Sequence, residues 1–192
     1  MYCVLVAGMP ATGKTRFAAW LGERRGIPWM SKDGIKEMLF DRIGFSSREE
    51  KVRLGLAAQD MLYAFAEAQL AAGCSFILEN NFEDSSRRPL EELLEKNDCR
   101  VITVRFGGEI DAIHRRFLER DQSSERHRGH VVNTRYPEVG EKAAYVPLSL
   151  ENFAAGMAAR GFDRFCLGRF VCVDATDFAN VDYEEIERAI GE

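Results

Sequence analysis

The stretch that most constrains this sequence is Gly8-Met9-Pro10-Ala11-Thr12-Gly13-Lys14-Thr15, which matches GxxxxGK[ST] at every fixed position. A short apolar run, residues 2–7, precedes it, and a helical pattern over 14–25 follows it, with Phe17, Ala18, Trp20 and Leu21 on one face. Strand, glycine loop and helix in this order make an anion cradle. Glycines let the backbone wrap closely enough for successive N–H groups to point at phosphate oxygens. The helix adds the positive end of its dipole. Gly8, Ala11, Thr12, Gly13, Lys14 and Thr15 are therefore the candidate phosphate-binding residues, with Lys14 on the terminal phosphates and the Thr15 hydroxyl a ligand for Mg²⁺.

The remaining chain alternates strand-like and helical patterns. Apolar runs at 27–30, 75–79, 99–106 and 170–173 are separated by helical patterns at 35–41, 47–72, 86–96, 109–120, 148–160 and 183–190. Ser47 and Glu50 form a possible capping box for the longest of these, whose expected apolar face includes Ala57, Met61, Leu62, Phe65, Ala68 and Leu70. About five strand–helix repeats predict an α/β fold with a mostly parallel sheet covered on both faces. At 192 residues the chain suits one domain, 1–192, and the polar 121–147 stretch is the only candidate for a mobile insertion.

Charge and cysteine usage exclude several classes. A net charge of −5 argues against coating nucleic acid through phosphate contacts. The five cysteines are odd in number and contain no CxxC pair. Cys3, Cys99 and Cys172 fall in or beside apolar runs, where a thiol packs as a small hydrophobe, and no disulfide framework is suggested. The N-terminal apolar run is too short for a secretory leader, and no stretch approaches the roughly 18 apolar residues of a membrane span. The cytoplasm is the expected compartment.

Four further groups carry candidate chemistry. Glu79 closes an apolar run, where an acid can order the water shell of a magnesium ion. Asp33 follows the second strand, at the carboxyl edge where open parallel sheets bind ligands. It can serve as general base for a substrate hydroxyl or as an N-cap for the helix near Ile35. Asn81 and Phe82 follow the third strand on the same edge, the amide as a substrate hydrogen-bonding group and the ring as a pocket wall, although Asn80 and Asn81 also suit a turn. The fourth is His114–His130, which holds Arg115, Arg116, Arg120, Arg126 and Arg128 and all three histidines. It carries +2, so the rest of the chain carries −7. Arginines on a hinged flap can close over a triphosphate and stabilise the moving phosphoryl group. His114, His127 and His130 are better suited to hydrogen bonding a substrate or ordering the flap than to binding metal. The chain has no NKxD base-reading motif of regulatory GTPases and is short for a ring-forming motor. A small kinase needs a pocket, a base and an arginine lid, and candidates for all three are present. The alternatives are a nucleotide-dependent switch or toxin-type ATP-binding protein, and a polynucleotide-end kinase, which the acidic balance disfavours.

The loop GMPATGKT, the segment SKDGIKEMLFD at 31–41, LENNF at 78–82 and ERHRGH at 125–130 together resemble the ATP-dependent small-molecule kinases of the P-loop superfamily, often labelled AAA-family ATPases or zeta-toxin-like proteins. Chloramphenicol phosphotransferase and gluconate and shikimate kinases belong to the wider group. The resemblance covers essentially the whole chain. It implies a three-layer α/β/α sandwich of P-loop NTPase type with a five-stranded parallel sheet in the order 2-3-1-4-5 and a helical lid near 114–147. It also implies ATP and Mg²⁺ as cofactors, a small-molecule hydroxyl as acceptor, and Asp33 as base or substrate ligand. Arg120 and Arg126 are the implied lid arginines, with Arg116 eligible for the same task, and the loop around Asp174-Ala175-Thr176-Asp177 would cradle adenine. Two positions depart from the pattern: Glu79 stands where such proteins often carry Asp, and Arg128 where they often carry Pro.

Overall fold

Every residue of strand β1 (Tyr2–Gly8) after Tyr2 is buried, and its side chains alternate between two cores. Cys3, Leu5 and Ala7 pack on one side of the sheet, Val4 and Val6 on the other. This computed structural model describes residues 1–141 and 143–191; position 142, inside the expected 114–147 lid, and position 192 lie outside the described residues. After β1 come α1 (Lys14–Arg25), β2 (Trp29–Ser31), α2 (Lys32–Ile43), α3 (Arg48–Ala71), β3 (Phe76–Glu79) and α4 (Asp84–Glu95). Then follow β4 (Arg100–Gly107), α5 (Ile110–Gln122), the short α6 (Arg128–Val131), α7 (Leu150–Arg160), β5 (Arg169–Asp174) and α8 (Tyr183–Ile190).

The sheet is parallel throughout, in the order β2-β3-β1-β4-β5, as the resemblance implied. Helices cover both faces. Leu62, Ala66 and Leu70 of α3 and Leu90 and Leu94 of α4 pack with Cys3, Leu5, Phe76 and Leu78. Phe17, Ala18 and Leu21 of α1 and Ile186 and Ile190 of α8 pack with Val4, Val6, Val104 and Val173. Each fully buried Val, Leu, Ile or Phe contributes about 1.5–3 kcal/mol relative to exposure. The register aligns strand ends at one edge: Val6 pairs with Glu79 and Gly8 with Phe106. Loops leaving β1, β2 and β3 therefore emerge side by side.

Several sequence expectations shift. α2 starts at Lys32 rather than near Ile35, because Ser31 caps it by accepting the Gly34 N–H at 3.3 Å. The buried stripe of α3 is Ala58, Leu62, Ala66 and Leu70, a strict four-residue spacing, while Met61 is exposed. Ser47 caps α3, but Glu50 accepts from the Ser46 N–H instead of closing the box on Ser47. Cys172 is exposed, since β5 is an edge strand buried only at alternate residues. Among the described residues no helix is long and apolar enough to cross a membrane.

Gly8 shows how tightly the loop is sprung from the sheet. Its φ is +112°, and a Cβ there would lie 2.0 Å from the Phe106 carbonyl oxygen. Gly8→Ala is expected to destabilise the protein by about 3 kcal/mol or more, strain and overpacking adding. Urea unfolding measures it, and an unchanged midpoint would contradict the close approach.

Candidate active site

The phosphate loop leaves β1 with its amides available. Gly13 takes a left-handed conformation (φ 85°) and precedes α1, whose first turn receives no side-chain cap. The first-turn N–H groups of α1 are thus open to an anion. Lys14 is buried, and its Nζ turns back to donate to the Met9 carbonyl at 2.5 Å; the Thr12 hydroxyl donates to the same oxygen at 2.7 Å. Burial pulls the Lys14 ammonium down to about 8, with Glu79 and Asp33 resisting and Arg120 adding to the fall.

Glu79 ends β3 as a buried carboxylate. Its Oε2 accepts the Thr15 hydroxyl at 3.1 Å and the Ser31 hydroxyl at 2.7 Å. Burial raises its pKa, while Lys14 and the two hydroxyls pull the other way. Ser31, a residue the sequence reading passed over, has two tasks: it caps α2 and it holds Glu79. Because Ser31 takes the cap, Asp33 in the first turn of α2 is released from that role. Its carboxylate opens into the cleft and accepts no hydrogen bond among the described residues. Burial works to raise the Asp33 pKa, but His130, Lys36, Arg126 and Lys14 outweigh it and the net direction is down. The group is ionised at neutral pH.

The flap arginines converge on the same place. Residues of the loop, the first turn of α2, α5 and the turn after it line a cleft of about 960 Å³, among them Lys14, Asp33, Arg116, Arg120 and Arg126. Arg120 and Arg126 share Asp121, at 3.2 and 3.5 Å. Arg126 Nε is buried without a hydrogen-bond partner, as are Nε and Nη1 of Arg116. Burial lowers the pKa of both arginines. Arg116 donates to the Ala175 carbonyl and stacks on the Phe178 ring, 4.0 Å from its centroid. Phe178, half exposed over the loop, is a second residue the sequence reading missed. Its only signal is an aromatic side chain just past the last strand.

Other expected site residues lie elsewhere. Phe82 is not a pocket wall: it is fully buried and stacks on Phe165 at 5.1 Å, because the chain turns inward there with φ 50°. Asn81 does not line the cleft; its backbone bonds Gly8 and the Asn80 side chain. Asp174 and Thr176 satisfy each other, Asp174 Oδ1 accepting the Thr176 N–H at 2.8 Å and hydroxyl at 2.6 Å, and they line a separate groove. Arg128 binds Glu138 in a bidentate pair, and Arg115 is exposed.

The expected 114–147 flap is not one unit. Its latter part is strapped to α2 and α3. Buried Lys51 on α3 donates to the carbonyls of His130 and Val132 and to Asn133 Oδ1 at 2.9, 2.5 and 3.0 Å. Burial, with Lys36, Arg48 and Arg126 nearby, brings the Lys51 ammonium to about 7. Phe45 pairs with Tyr136, and Phe40, Phe45 and Val132 form a small core. The histidines serve this strap. His130 Nε2 meets Glu37 Oε1 at 2.9 Å. His127 Nδ1 accepts the Gly129 N–H, which fixes Nε2 as the donor to Asp41 at 3.0 Å. His114 bonds the Leu148 carbonyl at 2.7 Å. Among the described residues no three His, Cys, Asp or Glu side chains are grouped to hold a metal alone.

A parallel 2-3-1-4-5 sheet with this loop at its edge defines a P-loop kinase fold. A family profile described as an AAA domain (AAA_33) matches residues 3–136, and the chain belongs to that family. It is similar over its whole length to a protein described as a "putative kinase" from Chloroflexus aurantiacus, with 29% identity, TM-score 0.80, and 98% of this chain and 96% of that one covered. A sugar kinase from a Janibacter species shares the fold at 17% identity and TM-score 0.55, covering 99% and 92%. A gluconokinase from Sinorhizobium meliloti does so at 14% identity and TM-score 0.53, covering 98% and 87%. No curated protein matches the chain.

The depressed Lys14 ammonium gives a stability signature. The folded state holds this proton less tightly than the unfolded chain does, so stability rises with pH between about 8 and 10.5. In Lys14→Met that contribution is absent. Below pH 8 the variant is expected to be the more stable of the two without nucleotide, by up to about 3 kcal/mol, and the gap should close as pH rises. Chemical denaturation of both proteins across pH reads it, and a pH-independent gap would refute the buried charge.

Proposed function

We propose that this protein is an ATP- and Mg²⁺-dependent phosphotransferase that moves the γ-phosphoryl group to a hydroxyl of a small polar molecule. One observation carries the reading: Lys14, Arg120 and Arg126 face, in a single cleft, a free and ionised carboxylate on Asp33. Three buried guanidinium nitrogens there have no hydrogen-bond partner, which suits an anion with many oxygens. The donor set also fits magnesium. Thr15 and Glu79 offer hard oxygen ligands beside the loop, and Glu79 spends only Oε2 on protein hydroxyls. Magnesium sites of this kind use few carboxylates and complete their shell with phosphate oxygens and water. The bound ion would neutralise charge on the phosphates.

In this reading the loop amides and Lys14 hold the triphosphate, and Arg116 with Phe178 borders the end of the cleft where the base would lie. The acceptor hydroxyl oxygen attacks the γ-phosphorus, the bond to the β–γ bridging oxygen breaks, and the hydroxyl proton passes to Asp33. Arg120 and Arg126 stabilise charge on the transferring group. A low pKa is compatible with this role, since in a loose transition state the hydroxyl becomes acidic only as the new bond forms. A cytoplasmic enzyme acting on a small molecule is part of this reading, and the acidic net charge fits it.

The test is ATP consumption with and without sugars, antibiotics, nucleosides and RNA ends. Stimulation by one class of small hydroxyl compound is expected. Asp33→Asn should bind ATP normally and transfer at least about 100-fold more slowly, whereas Lys14→Ala should lose ATP binding. Transfer undiminished in Asp33→Asn would remove Asp33 from the chemistry, and ATP affinity unchanged in Lys14→Ala would remove the nucleotide site.

A further inference from the structure

The two ends of the cleft differ in charge. The cationic side chains that line it come from the loop, from α1 and from the flap: Lys14, Arg16, Arg116, Arg120 and Arg126. With the nucleotide bound as proposed above, these groups would meet its phosphates, and Glu119 and Glu125 of the flap line the cleft among them. The α2 side offers Asp33 and Glu37, one helical turn apart and on one face. Gly34, between them in sequence, also lines the cleft and adds no side chain there.

We infer that the acceptor is an uncharged polyhydroxylated molecule, one hydroxyl meeting Asp33 while a neighbouring hydroxyl donates to Glu37, and that carboxylated or phosphorylated acceptors are excluded. This rests on the kinase reading above and narrows its acceptor.

Glu37 is oriented from behind, while Asp33 is left without a hydrogen-bond partner among the described residues. Glu37 Oε1 accepts from His130 Nε2 at 2.9 Å, and Oε2 accepts no hydrogen bond among the described residues. Lys51 fixes His130 in turn by bonding its carbonyl and that of Val132. Burial lowers the His130 pKa against the pull of Glu37 and Asp33, so the imidazole is neutral at pH 7 and donates a proton without adding charge.

The cations of α2 and α3 near this end do not line the cleft. Lys36 does not line the cleft; its ammonium lies 5.5 Å from the Phe40 ring centroid. Arg48 bonds Asn133, and Lys51 has three acceptors. On the α2 side an anionic acceptor would therefore meet two carboxylates and, among the described residues, no cationic side chain lining the cleft. A cationic acceptor gains less than the two acids suggest. Lys36 and Arg126 already act on Asp33, and His130 already donates to Glu37. What the pair offers is lone pairs at a fixed spacing, which two hydroxyl donors satisfy.

The test is a set of acceptors matched in shape and differing in charge: glucose, gluconate, glucose 6-phosphate and glucosamine, extended with glycerol, myo-inositol, ribose and adenosine. Phosphoryl transfer is measured at saturating MgATP. An uncharged member is expected to exceed every charged one by at least about tenfold in kcat/KM. Glu37→Gln should raise the KM for that acceptor by about tenfold, through loss of a charge-assisted hydrogen bond, with the KM for ATP unchanged. His130→Gln, which can still donate to Glu37, should keep more of the acceptor affinity than His130→Ala. A charged acceptor used as well or better overturns the inference and leaves the kinase reading standing. So does ATP binding without transfer to any uncharged compound, or an acceptor KM indifferent to Glu37→Gln. Failure of the wild-type protein to bind ATP would instead count against the kinase reading.

Discussion

A buried carboxylate ties the site to the fold. Glu79 ends the strand beside β1, and its Oε2 receives hydroxyls from Thr15 at the start of α1 and from Ser31 at the start of α2. One oxygen atom thus sets the relation between the phosphate loop, the central sheet and helix α2. A buried charge left alone would cost several kcal/mol. Glu79 is tolerable because two hydroxyls and the Lys14 ammonium surround it, although burial still drives its pKa upward. Removing Ser31 would therefore disturb more than a helix cap. It would take away the shorter of the two hydrogen bonds that hold this carboxylate beside the loop.

The loop and flap side of the cleft carries its cationic donors, with Glu119 and Glu125 among them. Lys14 is desolvated, Arg116 and Arg126 are desolvated, and three guanidinium nitrogens lack hydrogen bonds. Acids placed against every one of these groups would have made the nucleotide-free protein more comfortable. They would also have competed with phosphate. The arrangement concentrates unmet donor capacity where an anion enters, so that ligand binding relieves a cost already present in the folded chain. The net charge of −5 gives no hint of this, because acids outside the cleft outnumber the few cations within it.

Much of the fold was legible because its signals are local. An apolar run running into a glycine loop, a lysine at the first helical position and alternating strand and helix patterns leave few other architectures. Glu79 and Asp33 were legible for a related reason: both stand at strand ends, and strand ends define the ligand edge. Phe82 also follows a strand end, yet it belongs to the core. The left-handed residue is Phe82 itself, whereas the turn signal in NNF falls on Asn80 and Asn81. Ser31, Lys51 and Phe178 were illegible because their meaning is tertiary. Each acts on a partner at least 48 residues away, or over a loop it does not belong to.

The histidine-rich stretch shows how position redirects composition. Read as sequence, its arginines and histidines form one mobile, basic flap. In three dimensions the stretch divides at the turn between α5 and α6. Before the turn, Arg116, Arg120 and Arg126 face the cleft. After it, His127, His130 and Tyr136 bind Asp41, Glu37 and Phe45, and Lys51 holds the backbone from below. The second half thus belongs mechanically to α2, the helix that carries Asp33. In the kinase reading proposed above, this division would let one half meet the phosphates while the other holds the carboxylates on the acceptor side, the part of the reaction that the fold alone does not determine.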